Sequence, residues 1–154
     1  MSQLSPDRMS ARDLGAFLHE KIPLTKAMGV LVVATGARLV LEAPLAANVN
    51  HLGTAFGGSL HTLPTLAGYA VVWTLLREAG LDGHVVIKRS AANYRQPVTG
   101  PLRAVCERPA ANIVADFIAD LRRHRKARME LTAIVEGEYG KPAVEFTGTF
   151  VAVI

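Results

Sequence analysis

The sequence predicts an α+β fold in which one antiparallel sheet packs against a single long helix. The segment that opens at Gly57 and Gly58 and closes at Gly80 is apolar on nearly every side, which is typical of a buried helix. The remaining segments contain several strands, and neighbouring strands are close enough in the chain to pair antiparallel. A helix that is apolar all round needs more cover than one sheet gives. We therefore expect a dimer that extends the sheet or covers its open side.

Composition favours one folding unit, and we expect residues 1–154 to form a single domain. Half of the residues are hydrophobic, which is ample for a core, and no linker-like segment divides the 154-residue chain. Only 19% of the residues are charged, which suggests that some surface is hidden against another subunit. The net charge of +4 favours anionic partners such as phosphates, an acidic carrier protein or nucleic acid.

The sequence carries no pattern that directs it to a membrane or to secretion. The N-terminal residues lack the charged-then-apolar pattern of a signal peptide. The longest apolar run of the central helix, residues 66–76, is too short to span a bilayer. The single cysteine, Cys106, excludes an internal disulfide and fits a reducing compartment. We therefore expect a cytoplasmic protein that does not bind membranes.

The N-terminal segment, residues 1–22, is predicted to be helical from residue 10 to residue 21. Ser10 is a suitable N-cap, and Pro23 ends the helix. Its apolar stripe at helical spacing consists of Leu14, Phe17, Leu18 and Ile22. Residues 29–34 and 38–43 are rich in β-branched and apolar side chains, and they predict two strands of a hairpin around Gly36.

The segment after the central helix is predicted to be mostly strands. Residues 84–94, 102–108, 129–136 and 144–153 have the composition or the alternation of strands, and residues 137–142 form a turn. Residues 113–121 fit either a short helix or an alternating strand, and the pattern does not choose between them. A basic run follows them, consisting of Arg122, Arg123, Arg125, Lys126 and Arg128.

The loop before the central helix is the first candidate site. Gly53, Gly57 and Gly58 permit close approach of the backbone and unusual dihedral angles. The first amides of a helix have no intrahelical acceptor and carry positive partial charge. A glycine loop that opens a helix can therefore hold an anionic or carbonyl oxygen.

Three motifs in this order resemble those of phenylacetyl-CoA thioesterase-like hotdog proteins, and most closely the family typified by the YiiD carboxy-terminal domain. The first motif is Asn50-x-x-Gly53-Thr54-Ala55-Phe56-Gly57-Gly58-Ser59, the second is Ala67-Gly68 in the helix, and the third is Tyr94-x-x-Pro97-Val98-x-Gly100. The resemblance covers about residues 20–154. It implies the hotdog fold, in which a curved antiparallel sheet wraps around one central helix.

The resemblance also implies a function and roles for particular residues. The implied substrate is an acyl thioester of CoA or of acyl-carrier protein, and the implied active site lies between two subunits. The amide of Gly57 would hold the thioester carbonyl, and Asn50 would orient the substrate or the attacking water. Asn50 has an alternative role, which is to brace the loop.

One position departs from the resemblance. The helix carboxylate of the related enzymes falls on Thr65 here, and residues 59–73 contain no Asp or Glu. A threonine hydroxyl has no useful acid–base function near neutral pH without a partner. Thr65 could instead bond back to the carbonyl four residues earlier. The remaining candidates for activating water are His61, which shares a helix face with Thr65 and Tyr69, and His51 in the loop.

Further residues are expected to bind substrate, and no metal or separate cofactor is expected. The binding candidates are Phe56, Gly58, Ser59, Thr62, Tyr69, Arg89, Tyr94 and Arg95. Ser59 could also serve only as an N-cap or first-turn residue, and Tyr94 could only pack at the subunit seam. The histidines lack paired ligand spacing for a metal. CoA or phosphopantetheine enters as part of the substrate, and the basic run could contact its phosphates or an acidic carrier protein. Nucleic acid is disfavoured because no aromatic residues interleave the basic ones.

Three functions stay open at this point. The first is a thioesterase that acts on acyl-CoA or acyl-carrier protein as a homodimer or a dimer of dimers. The second is a domain that binds acyl thioesters without hydrolysing them. The third is decarboxylation of a malonyl thioester in fatty-acid initiation, which needs a polarised carbonyl but no general base.

Overall fold

The computed structural model describes residues 9–154 and confirms the predicted α+β architecture. In chain order the elements are α1 (Ala11–Lys21), α2 (Pro23–Met28), β1 (Leu31–Ala34), β2 (Arg38–Ala43), α3 (Gly57–Glu78), β3 (His84–Tyr94), β4 (Leu102–Glu107), α4 (Ala111–His124), β5 (Lys126–Glu136) and β6 (Pro142–Val153). The six strands form one antiparallel sheet in the order β1-β2-β4-β5-β6-β3.

The central helix α3 is buried against the inner face of this sheet. It packs against β2, β3, β4, β5 and β6, and 11 of its 22 residues are buried. Gly68 brings the helix backbone against the Phe150 ring, because a Cβ at residue 68 would lie 2.5 Å from the ring's Cζ atom. Gly148, on β6, makes room for two rings of its own strand, since a Cβ there would lie 2.9 Å from both the Phe146 and the Phe150 ring. Gly68 therefore sets how closely the helix approaches the sheet at Phe150.

The N-terminal helix begins as predicted. The Ser10 hydroxyl oxygen accepts a hydrogen bond from the Asp13 amide at 3.1 Å, which caps α1. On the buried side, Phe17 stacks on Trp73 of α3 with ring centroids 4.5 Å apart. Residues 1–8 of the predicted N-terminal segment lie outside the described residues.

Two predictions for this region need correction. Pro23 does not only end α1, because it also occupies the first turn of the short helix α2, where its missing amide costs nothing. Gly29 then ends α2 in the left-handed conformation, with φ of 73°. The strand predicted to start at residue 29 therefore starts at Leu31.

Of the two alternatives for residues 113–121, the helix is observed. It extends as α4 to His124 and buries Phe117, Ile118 and Leu121. The basic run is consequently divided: Arg122 and Arg123 lie in the last turn of α4, and the rest lie at the start of β5 or just before it. β5 starts three residues earlier than predicted and pairs with β6 along almost its whole length.

The sheet has β1 at one edge and β3 at the other. Strand β3 has 11 residues, most of them exposed, and it pairs only with β6 among the described strands. Residues Ser90, Ala92 and Tyr94 pair with Gly148, Phe146 and Val144. Because these partners lie on the inner face, the three β3 residues face the same side as α3. None of the helices within residues 9–154 is long and apolar enough to cross a membrane.

Candidate active site at the start of the central helix

The glycine loop, residues 48–56, is held in shape chiefly by Asn50. The side-chain oxygen of Asn50 accepts hydrogen bonds from the amides of Leu52 (2.9 Å) and Thr54 (3.1 Å). Its side-chain nitrogen donates to the Thr54 hydroxyl at 2.9 Å and to the Ala55 carbonyl at 3.4 Å. All four hydrogen-bonding positions of this amide are thus used within the loop. This geometry supports the bracing role that the sequence left open for Asn50.

The first and third sequence motifs meet at this loop. The Ala55 amide donates to the Val98 carbonyl at 2.8 Å, so the bend after β3 supports the segment that enters α3. The next amide, that of Phe56, donates to the Asn48 carbonyl at 2.7 Å. The chain is therefore fixed on both sides immediately before the helix begins.

The first three amides of α3 are free to bind a ligand. Phe56 is the N-cap residue and provides no side-chain capping bond. The first bonded amide of the helix is that of Leu60, which donates to the Phe56 carbonyl at 3.0 Å. Within residues 9–154, the amides of Gly57, Gly58 and Ser59 have no acceptor. Ser59 lies in the first turn of α3, as one of its structural alternatives predicts, and is not the N-cap. Three adjacent donors at a helix start are suited to an oxyanion or a polarised carbonyl.

Gly57 and Gly58, at the start of α3, differ in what a side chain at each position would contact. A Cβ at Gly58 would lie 2.4 Å from the Phe56 ring, so Gly58 allows that ring to lie over the helix start. A Cβ at Gly57 would meet nothing within 4 Å, and neither residue has a positive φ. No contact within residues 9–154 therefore requires glycine at residue 57. The space beside its amide is open to a substrate or a second subunit.

One stripe of α3 is only half-buried and continues from these amides along the helix. It contains His61, Thr62, Thr65 and Tyr69. The Thr62 hydroxyl donates to the Gly58 carbonyl and the Thr65 hydroxyl to the His61 carbonyl, both at 2.8 Å. The two threonine hydroxyls are thus committed to the backbone, as the bond-back alternative for Thr65 predicts. Burial raises the pKa of the Tyr69 phenol, which keeps that group neutral.

His61 is the centre of a polar cluster between α3 and β3. Its Nε2 atom is hydrogen bonded to the Ser90 hydroxyl at 3.0 Å, and its Nδ1 atom is bonded to the Tyr94 hydroxyl at 3.3 Å. The Phe146 ring meets the imidazole edge-on with centroids 5.4 Å apart. Ser90 was missed by the sequence prediction. The available signal was the two-residue alternation of β3, which places Ser90 on the same face as Tyr94.

Other predicted residues lie away from this cluster. His51 is exposed in the glycine loop and has no hydrogen-bond partner in the described part of the chain. Arg89 pairs with Thr149 and lies on the outer face of the sheet, opposite to Ser90. Arg95 forms an exposed ion pair with Glu145 at 3.3 Å.

The inner face beside the cluster is open in a single chain, and it is apolar. The exposed fractions are 56% for Phe56, 41% for Ile87 and 53% for Tyr94. A cleft of about 360 Å³ lies elsewhere, on the side of the sheet that carries Arg103. There Arg103 bridges Glu42 at 2.6 Å and Glu136 at 3.3 Å. Because two carboxylates already engage Arg103 there, whereas the first amides of α3 have no acceptor among the described residues, we place the candidate site at the helix start.

Comparison with known proteins adds a family and a set of similar structures. The profile of a family described as "Putative thioesterase (yiiD_Cterm)" matches residues 11–154. A protein of unknown function from Chlorobaculum tepidum is 30% identical, with 99% of each chain covered and a TM-score of 0.90. A protein from Shewanella oneidensis named as a "putative thioesterase" is 30% identical over 94% of this chain and 97% of its own, with a TM-score of 0.83. A Pseudomonas aeruginosa protein named as a "probable thioesterase" shares the fold at 24% identity, over 96% of this chain and 99% of its own, with a TM-score of 0.79. The hotdog fold expected from the motifs is thus confirmed.

Proposed function

Because the chain belongs to the YiiD carboxy-terminal family of thioesterase-like proteins, we propose that it hydrolyses an acyl thioester of CoA or of acyl-carrier protein at a site shared by two copies of the chain. The observation that carries this proposal is the set of free amides at Gly57, Gly58 and Ser59. Attack on a thioester places negative charge on the carbonyl oxygen, and fixed backbone donors stabilise that charge without reorganising.

The open space at Gly57 supports the approach of a substrate to these donors. A Cβ at residue 57 would meet no atom of the described residues within 4 Å, so the space beside this amide is open to a ligand. Asn50 contributes as a positioning residue, because its four hydrogen bonds fix the loop that precedes the donors.

A homodimer is the assembly that this proposal requires. Among the described strands, the 11-residue β3 has one unpaired edge, and such an edge is a template for pairing with another strand. Edge-to-edge pairing of two β3 strands would engage their backbones and leave Ser90 and Tyr94 on the inner face. It would also bring a second subunit over the exposed Phe56 and Ile87 side chains, which are too apolar to favour open solvent.

The group that exchanges protons in this proposal is His61. Residues 59–73 contain no carboxylate, and the hydroxyls of Thr62 and Thr65 are bonded to helix carbonyls. Histidine is the side-chain type that gains and loses a proton near neutral pH, so it can act as both base and acid in one turnover.

The basic residues from the last turn of α4 to the start of β5 provide a surface for the phosphates of CoA or for an acidic carrier protein. Arg123, Arg125, Lys126 and Arg128 are exposed and form no ion pair within residues 9–154. Such unpaired cations attract phosphate groups and carboxylates over a distance of about 10 Å at 0.1 M salt.

The test is a substrate panel that follows two products. Purified protein is given acyl-CoAs and acyl-carrier proteins of increasing chain length, together with malonyl thioesters, while free thiol and carbon dioxide are measured. We expect thiol release without carbon dioxide, and a dimer or larger assembly by light scattering.

Two other results would replace this proposal. Tight binding of acyl thioesters with no product would indicate a binding domain, which the missing helix carboxylate favours as a second candidate. Carbon dioxide from malonyl thioesters alone would indicate a decarboxylase.

A further inference from the structure

We propose that Ser90 is the nucleophile of this site, with His61 as its general base and Tyr94 as the residue that orients His61. Hydrolysis would then pass through an acyl ester of Ser90. The inference rests on the proposed function for the identity of its acyl donor, a thioester.

The hydrogen bonds around the imidazole have the order that nucleophilic catalysis needs. With the Ser90 hydroxyl donating to Nε2 at 3.0 Å, the Nδ1–H group donates to the Tyr94 oxygen at 3.3 Å. This arrangement joins a nucleophile to a base and the base to an orienting group. The edge-on contact with Phe146, at 5.4 Å, restricts rotation of the ring.

The cluster lies next to the free amides. His61 follows Gly57 by four residues, so the two share a helix face with a separation of about 5–6 Å. Helical side chains lean toward the N-terminus, which carries the imidazole toward the turn that contains Gly57. Ser90 is exposed on the inner face of β3, so its hydroxyl is accessible to an acyl group from the same open side.

Most of the other hydroxyl and amide side chains near the helix start are engaged, and the Ser59 hydroxyl has no hydrogen-bond partner among the described residues. Thr62 and Thr65 donate to carbonyls of α3, and the Asn50 side chain is fully bonded inside its loop. Among the described residues of this site, Ser90 is therefore the aliphatic hydroxyl that has an imidazole to receive its proton.

The proposed chemistry balances without a further reactant. The Ser90 oxygen forms a bond to the thioester carbon while its proton passes to Nε2 of His61. The carbon–sulfur bond then breaks, and the departing sulfur takes that proton and leaves as a thiol. Water attacks the Ser90 ester, with its proton passing to His61, and the released serine oxygen recovers a proton from the imidazole. The sum is thioester plus water giving carboxylic acid plus thiol.

The test uses a fluorophosphonate, which reports an activated serine without any thioester. The serine oxygen displaces fluoride from phosphorus and its proton goes to the imidazole. We expect stoichiometric labelling of full-length protein at neutral pH, located at Ser90 by peptide mass spectrometry. Ser90→Ala should abolish the label, and His61→Gln should slow it about 10²–10⁴-fold, the usual contribution of a general base. Thr147→Ala is the matched control, because its exposed hydroxyl lies on the outer face of the same sheet.

Tyr94 and a second Ser90 variant complete the test. Tyr94→Phe keeps the ring but loses the oxygen, so the labelling rate should fall and its dependence on pH should shift, whereas a purely structural role would change only the melting temperature. Ser90→Cys should be alkylated by iodoacetamide at residue 90 faster than the same variant with His61→Gln. The native Cys106 is buried and does not compete.

The outcomes separate this inference from the proposed function. If Ser90 is labelled but the protein releases no thiol from any thioester, the proposed thioesterase function is overturned and the assignment of Ser90 as a nucleophile is retained. Thiol release by wild type that persists in a folded Ser90→Ala variant, yet is lost in His61→Gln, would overturn the nucleophile, since His61 would then act directly on water. Absence of label at Ser90 in wild type would also overturn it.

Discussion

Replacing Gly57 by proline is expected to remove one oxyanion donor while keeping the helix intact. Gly57 is the first residue of α3, where proline is favoured because that amide has no helical acceptor. Proline also requires an extended residue before it, and Phe56 has φ of −65° and ψ of 133°. Added side-chain atoms enter open space, since a Cβ at residue 57 meets nothing within 4 Å.

The size of the effect follows from the chemistry of the lost donor. Removing one backbone-type donor from an oxyanion site costs about 2.7–4 kcal/mol of transition-state stabilisation, or about 10²–10³ in kcat. The free energy of unfolding should stay the same or rise by about 0.4–1 kcal/mol, because proline restricts the unfolded chain. Activity and stability are thus expected to move in opposite directions.

The assay compares Gly57→Pro with Gly57→Ala on the best thioester of the panel. The alanine variant places a methyl group in the same space but keeps the amide, so it measures the steric part alone. Kinetics of thiol release give kcat and KM, and thermal unfolding and light scattering verify fold and assembly. A proline variant that is folded and assembled like wild type, with kcat within about threefold of the alanine variant, would refute the assignment of the Gly57 amide.

Three further predictions concern the packing of α3, the glycine loop and the buried thiol. Gly68→Ala should lower the free energy of unfolding by about 1–3 kcal/mol, since the new Cβ would lie 2.5 Å from the Phe150 ring. Gly15→Ala, in α1, should raise the free energy of unfolding by about 1 kcal/mol, because its Cβ would meet Val32 at an ordinary 3.8 Å. Denaturant midpoints that shift equally in these two glycine variants would contradict this contrast. Asn50→Ala should lower the free energy of unfolding by about 1–3 kcal/mol and should also reduce thiol release. Asn50→Asp should have a smaller effect, because it keeps both bonds in which the side-chain oxygen is the acceptor. Loss of thiol release at unchanged stability would instead indicate that Asn50 takes part directly in the chemistry. Burial raises the pKa of Cys106 from 9.0 to about 12. The protonated thiol therefore makes its full contribution to the free energy of unfolding below pH 9. As the pH rises toward 12, the thiol ionises in the unfolded chain but not in the folded one, and the free energy of unfolding falls by up to about 1.4 kcal/mol per pH unit. In that pH range, the free energy of unfolding from urea titrations should fall more steeply with pH for wild type than for Cys106→Ala. An equal dependence on pH in the two proteins would refute this prediction.

The periodicity of the chain was sufficient to predict most of the fold. Strands β2 and β3 and the start of α1 follow from patterns within a single segment, and they have the predicted bounds. The errors lie where a neighbour in space decides the outcome. The apolar run at residue 29 resembles a strand, but Gly29 packs against Pro44 in a left-handed turn that ends α2. For residues 113–121, packing of one face against the core selected the helix.

The candidate site was predictable only in part, for a related reason. Free amides at a helix start depend on local sequence, so Gly57 and Gly58 were found without tertiary information. Ser90 follows no motif, and its relevance arises only because β3 lies across from α3. In the same way, Asn50 carries the residue type of a catalytic amide, but the contacts that occupy it come from its own loop.

Core packing and the proposed chemistry meet at Phe146. Its ring lies close to Gly148, where a Cβ would be 2.9 Å away, and it also meets the imidazole of His61 edge-on. Close packing makes such a ring hard to displace, since nearby groups leave no void into which it could move. The position of His61 relative to Ser90 is thereby coupled to the packing of Phe146 between β6 and α3. In the proposed mechanism His61 takes over the acid–base role of the carboxylate that related enzymes have on this helix, and the core packing holds its imidazole in place, which gives a physical reason why the central helix can function without that carboxylate.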